Sequence, residues 1–405
     1  MMKRHKLRQK TAMLTAVSVF ALMLGACSQK SSINNNGISV EKLQFSKTHY
    51  KQMLRQFSQT LTYQLPDTAL LETIDNAPSD SAAKDAYEAG VDTIIDDPTK
   101  PMKAFLLDYF FEVLGVGSTL SNDEINMPAL LFAWTIMNGD SIEDALLSQD
   151  VAYDNDGNQI SSDYTNAYPA AERAGYLTME SFIDEWNSQF KFNFAREAYA
   201  LNLCDVAPFT KLNLYEWPEA NMNPKYLTED GNPIICKTCH VYLATHRYAF
   251  RFLAGNGQYN NGITQGQDSW DMEDNGYQGE PLIAGYDPDS LTAGDVMSEE
   301  DGKAFYKLTN SGSVMETPQD FAQSVVDHER FDHCWTARAI GMLSNLDFGT
   351  AGIGTKVPQD FTSSTQEEKF IATWIEVFRE NDKSILELLR HFAKSNDYLI
   401  LGYAQ

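Results

Sequence analysis

Basic side chains are scarce in this 405-residue chain, where 31 Lys and Arg stand against 56 Asp and Glu for a formal charge of −25. Five of the basic groups lie in the first ten residues, so from Cys27 onward the charge is near −30. Such an acidic surface repels nucleic acid and anionic membrane, which excludes both as partners and points to a basic or cationic one. Long apolar runs are equally scarce. Beyond Leu24 no segment is long and apolar enough to cross a bilayer. Cysteine is rare, with five in the whole chain, so each one can be considered individually. The first half carries little β signal and no βαβ unit, which argues against a thioredoxin-like redox fold. The apolar and aromatic content is nevertheless ample for a large core, and the length suggests about two to three domains.

The N-terminus carries a strong signal of its own. Lys3, Arg4, Lys6, Arg8 and Lys10 precede an apolar run from Thr11 to Leu24, followed by Leu24-Gly25-Ala26-Cys27. A basic stretch, a short apolar stretch and small residues before the cut make a secretory signal. The cysteine at the cut resembles a bacterial lipobox, in which Cys27 becomes the lipidated first residue of the mature chain. An ordinary signal that happens to contain a cysteine is the plainer alternative. By resemblance to other diderm lipoproteins, Ser28 in place of Asp after Cys27 is compatible with sorting to the outer membrane.

Cys236-Lys237-Thr238-Cys239-His240 is the sharpest motif. Two thiols three positions apart reach the two vinyl groups of one porphyrin, and the next imidazole meets the iron, as in c-type haem attachment. Zinc is a poor rival, since a closed site needs four ligands and there is no second cysteine pair. The motif predicts one covalent haem c, held through Cys236 and Cys239, with His240 as the proximal ligand. For the other face of the iron, Met297 and Met315 stand level, each just before a helix start. His246, His328 and His333 are alternatives. Setting aside Cys27 and the haem cysteines leaves Cys204 and Cys334, which in an exported chain are expected to form one disulfide, with two buried free thiols as the alternative.

Periodicity predicts a mainly α fold. Tyr50, Met53, Leu54 and Phe57 fall at helical spacing, and Pro78 with a Ser/Asp cluster interrupts the pattern over 75–83. Phe105, Leu106, Tyr109, Phe110 and Val113 make a second stripe, and residues 127–137, with Trp134, a third that ends at Asn138-Gly139. These stripes read as core. Asp154-Asn155-Asp156-Gly157-Asn158 resembles a calcium loop, but the required Gly and Glu positions hold Gln159 and Thr165, so an Asx/Gly turn is expected. The pattern turns helical again from about residue 170 to Cys204. Residues 258–294, rich in Gly, Asp, Asn and Tyr, read as a long loop. Three helices are expected after that: one opened by Thr317-Pro318, one by Thr365 with Glu368, and one by Ser384 with Glu387. The expected organisation is a signal (1–26), a polar tether (27–40), a helical domain (41–230) and a helical haem domain with long loops (231–405).

Arg173-Ala174-Gly175-Tyr176-Leu177-Thr178, Phe194-Ala195-Arg196 leading to Leu203-Cys204, the haem motif, Phe331-Asp332-His333-Cys334 leading to Gly349, then Leu388-Leu389 and Ser395-Asn396-Asp397-Tyr398-Leu399 follow in that order. The order resembles planctomycete-type cytochrome c proteins, large exported bacterial proteins built around one haem motif. The likeness covers roughly residues 165–400. It implies thioethers on Cys236 and Cys239, His240 on the iron, and family cysteines at Cys204 and Cys334. The chain departs from the family in having no proline run after Cys204 and in Thr350 after Gly349.

The function expected from the sequence is an outer-membrane lipoprotein facing the periplasm that carries single electrons on one haem and meets a basic redox partner. A peroxidase-like enzyme with an open iron site, assisted by His328 or His333, is the second reading, so whether the chain is an enzyme stays open. A structural or binding lipoprotein is the third.

Overall fold

A computed structural model of the chain describes residues 45–115, 123–149, 151–160, 171, 173–179, 181–182, 191–204, 317–344 and 365–401. Of this part 74% is helical, in twelve helices with almost no strand, so the fold is mainly α. The polar tether and the boundary expected near residue 230 lie outside the described residues. The chain divides into two compact units, neither of them continuous in sequence. The described parts of the first are 45–105, 336–344 and 365–401, and those of the second lie between 106 and 335.

The first unit begins with α1 (Lys47–Thr62), α2 (Thr68–Asn76) and α3 (Asp80–Ile95). Each starts on a side chain that accepts a backbone N–H: Ser46 from His49, Asp67 from Ala69 and Ser79 from Ala82. Such caps satisfy donors that have no partner within the helix. Tyr50, Met53, Leu54, Phe57 and Leu61 bury one face of α1. Gly90 of α3 lets the two helices close up, since a Cβ there would sit 2.9 Å from Leu54.

The other half of this unit comes from the far end of the chain: α10 (Thr365–Glu380), α11 (Ile385–Lys394) and α12 (Asn396–Leu401). Leu388, Leu389 and Phe392 bury the inner face of α11. Tyr87 of α3 donates from its hydroxyl to the Ala393 carbonyl at 2.6 Å, and the His49 ring nitrogen Nε2 donates to the Leu399 carbonyl at 2.8 Å. Charge adds a second tie. Arg390 spans Asp92 at 2.8 Å and Asp96 at 2.7 Å, and Lys394 reaches Asp92 as well.

The second unit includes most of α4 (Lys103–Leu114), α5 (Asp123–Asn138), the short α6 (Asp144–Leu147), a 3-10 turn at Gly175–Thr178, α7 (Lys191–Leu203), α8 (Pro318–Val326) and the start of α9 (Glu329–Ser344). Its core is aromatic. Phe110 stacks on Phe132 at 4.7 Å, and Phe132 meets Tyr176 at 5.0 Å and Trp335 at 5.6 Å. A two-residue hairpin pairs Ala152 with Ile160 and Tyr153 with Gln159. In its turn the Asp154 carboxylate accepts from the Asp156 and Asn158 N–H groups at 2.9 and 2.8 Å and from the Asn158 amide at 2.8 Å. The turn is therefore an Asx turn whose carboxylate is occupied by its own loop.

Several expectations need correction. The break over 75–83 narrows to residues 77–79, between two helices that periodicity had not marked. Along α2 only Ile74 is buried, and the α3 face is thinned by Ala83 and Gly90, so neither makes a strong apolar stripe. Phe105, Tyr109 and Val377 are half-buried, while Leu107, Phe111, Ile371 and Ile375 are buried. Five helices rather than three occupy the described residues after 316, because Arg330, Asp332 and Arg338 mask the apolar face of α9 and α12 has only six residues. The box expected at Ser384 has one arm. Ser384 accepts from Glu387 N–H, but the Glu387 carboxylate turns to Arg390 at 3.1 Å. The side chains of Thr365 and Glu368, and with them the box expected there, lie outside the described residues.

Two outcomes follow from these contacts. Gly157 sits at φ +81°, and a Cβ there would meet the Trp134 ring at 2.5 Å, so Gly157→Ala is expected to lower unfolding free energy by about 1–3 kcal/mol in urea titration. Arg390 is expected to govern part of the acid response. Burial pushes the Asp92 carboxyl up, but hydrogen bonds from Lys394 and Arg390 outweigh it and hold it below its ordinary value, as the Arg390 hydrogen bond does for Asp96. A lowered carboxylate stabilises the fold above the ordinary value of 3.8 and loses that contribution as pH falls below it. Because Asp96 is largely exposed, solvent screens the pair, and Arg390→Ala should cost about 1 kcal/mol at pH 7. The difference between variant and parent should shrink as pH drops below 3.8 in thermal melts. His49, lowered from 6.5 by burial against the Leu399 hydrogen bond, adds an earlier loss as pH falls below 6.5.

Candidate functional site

Helix α7 ends at Leu203, and the next residue, Cys204, adopts the left-handed conformation with φ +51°. Glycine usually takes that place after a helix because a side chain is strained there. Here the cysteine is held by a covalent partner. Cys204 is bonded to Cys334 of α9, with an S–S distance of 2.06 Å and Cα atoms 5.3 Å apart, and both residues are 0% exposed.

Arg330, one turn before Cys334, donates from Nε to the Leu203 carbonyl at 3.2 Å. A cation on the last carbonyls of α7 suits both the unfilled acceptors and the negative end of the helix dipole. Next to the disulfide, Asn202 donates to the Tyr176 hydroxyl at 2.7 Å and to the Ala198 carbonyl at 2.8 Å. Trp335, adjacent to Cys334, enters the aromatic core through Phe132 and meets Phe331 at 6.4 Å. Tyr199 of α7 packs on Phe321 of α8 at 5.2 Å. The entry of α8 is fixed by a complete box, in which Thr317 accepts from the Asp320 N–H and the Asp320 carboxylate accepts from the Thr317 N–H at 2.9 Å. Gln319 then donates to the Leu147 carbonyl of α6 at 3.3 Å. Gly175, in its left-handed turn at φ +44°, donates to the Ser148 carbonyl at 2.8 Å, and the Ala145 backbone fills the space a side chain would need.

The structure thus brings together Cys204 and Cys334. Cys27, Cys236, Cys239, His240, His246, Met297 and Met315 lie outside the described residues. His328 is half-buried just before α9, where its Nδ1 accepts from the Arg330 N–H at 3.1 Å. His333 is half-buried on α9, and burial, together with the Arg330 charge, lowers its pKa and favours neutral imidazole. Among the described residues no group of three His, Cys, Asp or Glu side chains is placed to hold a metal ion, and no helix is long and apolar enough to cross a membrane. An open groove of about 610 Å³ between α2 and α3 is lined by Ala69, Glu72, Thr73, Ala77, Ala82 and Ala86. It offers one ionisable group and no converging partner for it. Arg330 is the participant that sequence reasoning missed. Nothing in His328-Glu329-Arg330-Phe331 marks it, because its target is a backbone carbonyl 127 positions away.

Comparison with protein-family models, with curated proteins and with solved structures finds no match to this chain. Its chemistry therefore has to be argued from its own residues.

Closing a 130-position separation with one bond removes much of the freedom of the unfolded chain. The chain-entropy model gives about 5 kcal/mol for a loop of that size. Replacing both cysteines by alanine is expected to lower unfolding free energy by about 3–5 kcal/mol, read by urea titration with and without a reductant. The parent should lose stability in the reductant and the double variant should not.

Proposed function

We propose that this chain is a lipid-anchored, monohaem c-type cytochrome that passes single electrons at the cell envelope. The observation that carries the reading is Cys236-Lys237-Thr238-Cys239-His240 in a chain that opens with an export signal. The donor set fits the group, with two thiols at the spacing of two vinyl carbons and an imidazole directly after them. The use of Cys204 and Cys334 in one buried disulfide adds support, because it leaves the thiols of Cys236 and Cys239 uncommitted to that pair. The resemblance to planctomycete-type cytochrome c proteins points the same way.

In this reading Cys236 and Cys239 hold the porphyrin, His240 is the proximal ligand, and Met297 or Met315 takes the opposite position. When bound, haem supplies reversible one-electron chemistry, and the protein tunes it by axial ligand, burial and hydrogen bonding. Cys27 carries the lipid, so the chain is held at the envelope by acyl chains. The acidic surface, with 56 Asp and Glu against 31 Lys and Arg, steers a basic redox partner toward it.

The deciding measurement is the optical spectrum of the full chain produced together with haem-maturation proteins. Haem is expected to stay with the polypeptide through acid–acetone extraction and to show a low-spin spectrum with a methionine-to-iron band. That band should vanish in either Met297→Ala or Met315→Ala. Cys236→Ala with Cys239→Ala should abolish covalent haem. A high-spin spectrum would replace the electron carrier by an open-site haem enzyme, and the absence of covalent haem would overturn the proposal altogether.

A further inference from the structure

Among the described residues two large apolar side chains stand in solvent, Tyr63 at 57% exposure and Leu65 at 64%. They flank Gln64 in the turn that joins α1 to α2. Tyr63 follows α1 in the left-handed conformation, at φ +57°, a place that glycine or asparagine usually fills. A third ring lies beside them. Tyr50 of α1 meets Tyr87 of α3 at 5.6 Å, and Leu54 packs against Gly90, so the two helices run side by side in the same direction. Their C-terminal ends therefore lie together, and the chain leaving α3 brings the half-buried Phe105 ring to 6.2 Å from that of Tyr63.

The charges at this end are answered locally. Asp67 accepts from the Ala69 N–H at 2.9 Å, Asp96 pairs with Arg390 at 2.7 Å, and Asp97 accepts from the Thr99 N–H at 2.8 Å. Arg390, Lys100 and Lys103 match those three carboxylates in number. A chain with a formal charge of −25 thus presents here an apolar tip set in balanced charge.

We propose that Tyr63, Leu65 and Phe105 rest on the zwitterionic lipid surface to which the chain is anchored, and so fix the face that it turns to the membrane. The inference rests on the reading of Cys27 as the lipid-bearing residue. About 17 residues separate Cys27 from Phe45, and a stretch of that length spans at most about 60 Å. Helix α1, with its 16 residues, is about 24 Å long. The anchor therefore leaves the chain free to turn the Tyr63 end of α1 to the bilayer. Tyrosine and phenylalanine rings suit the headgroup level, where an apolar body meets lipid and a hydroxyl stays wet, and leucine adds apolar area. Zwitterionic headgroups do not repel the acidic remainder of the surface, as anionic ones would. Three side chains hold a free protein only weakly. The anchor makes their contact intramolecular and raises the effective concentration of lipid, so a weak contact is enough to set orientation.

The test uses the full chain, purified from a bacterial envelope and placed in phosphatidylcholine vesicles that carry a photoactivatable phosphatidylcholine. The mass of the purified protein reports whether Cys27 bears acyl chains, separately from the face that meets lipid. If it bears none, the apolar run over 11–24 holds an unprocessed chain to the same vesicles, and the face is still read. Illumination is expected to attach lipid to residues 63–66 and 103–105, and about tenfold less to 80–85 at the other end of α3. In the double variant Tyr63→Asn with Leu65→Ser, attachment at 103–105 should fall about tenfold, because two of the three apolar contacts are gone. Asparagine accepts the left-handed backbone and both side chains are exposed, so the urea midpoint of the variant should match the parent's. Equal attachment at 63–66 and 80–85 would overturn the inference, as would attachment at 103–105 that the double variant leaves unchanged. A dimer in detergent solution that the double variant dissolves would assign the tip to a second copy of the chain and overturn it as well.

Discussion

The second unit depends on holding the end of α7 against α9, and one covalent bond does this. Cys204 and Cys334 belong to segments whose meeting point has 130 positions of chain between its two sides. Hydrophobic packing alone meets a large loop entropy in bringing such segments together. The bond removes that cost from the folded side of the balance, and the neighbours exploit the register it sets. Arg330 finds the Leu203 carbonyl, Asn202 finds Tyr176, and Trp335 enters the ring cluster with Phe132. The strained left-handed backbone at Cys204 persists because the surroundings determine it so fully.

The first unit meets the same long-range problem without a covalent bond. Its helices come from well-separated parts of the chain, and apolar side chains join them: Phe57 of α1 meets Tyr398 of α12 at 6.4 Å, and Tyr398 meets Phe392 of α11 at 5.6 Å. Polar contacts then select one arrangement among many apolar ones. Tyr87 to Ala393, His49 to Leu399 and the Arg390 cluster each need a particular register. The carboxylates in that cluster are held below their ordinary value and His49 is lowered by burial, so these contacts weaken in acid.

Legibility in the sequence followed the strength of the local signal. Helices with wide apolar stripes, such as α1 and α5, could be read from spacing alone, and so could the start of α8 from Thr317-Pro318. Helices α2, α3 and α9 could not, because small or charged residues interrupt their apolar faces. The single-armed cap at Ser384 shows a related limit. Glu387 stands at the right spacing for the reciprocal bond, but the Arg390 guanidinium, also bound to Asp92 and Asp96, competes for it.

The helical class, the main apolar stripes, the export-signal and haem-attachment patterns on which the proposed function rests, and the short roster of cysteines available to pair can all be read along the chain. These are local properties, legible because composition and spacing act within a few turns. Setting the other cysteines aside already pairs Cys204 with Cys334, but which carbonyl Arg330 caps and which ends of the chain share a core emerge only on folding. Each depends on atoms that meet after distant segments pack, and no spacing along the chain encodes that meeting.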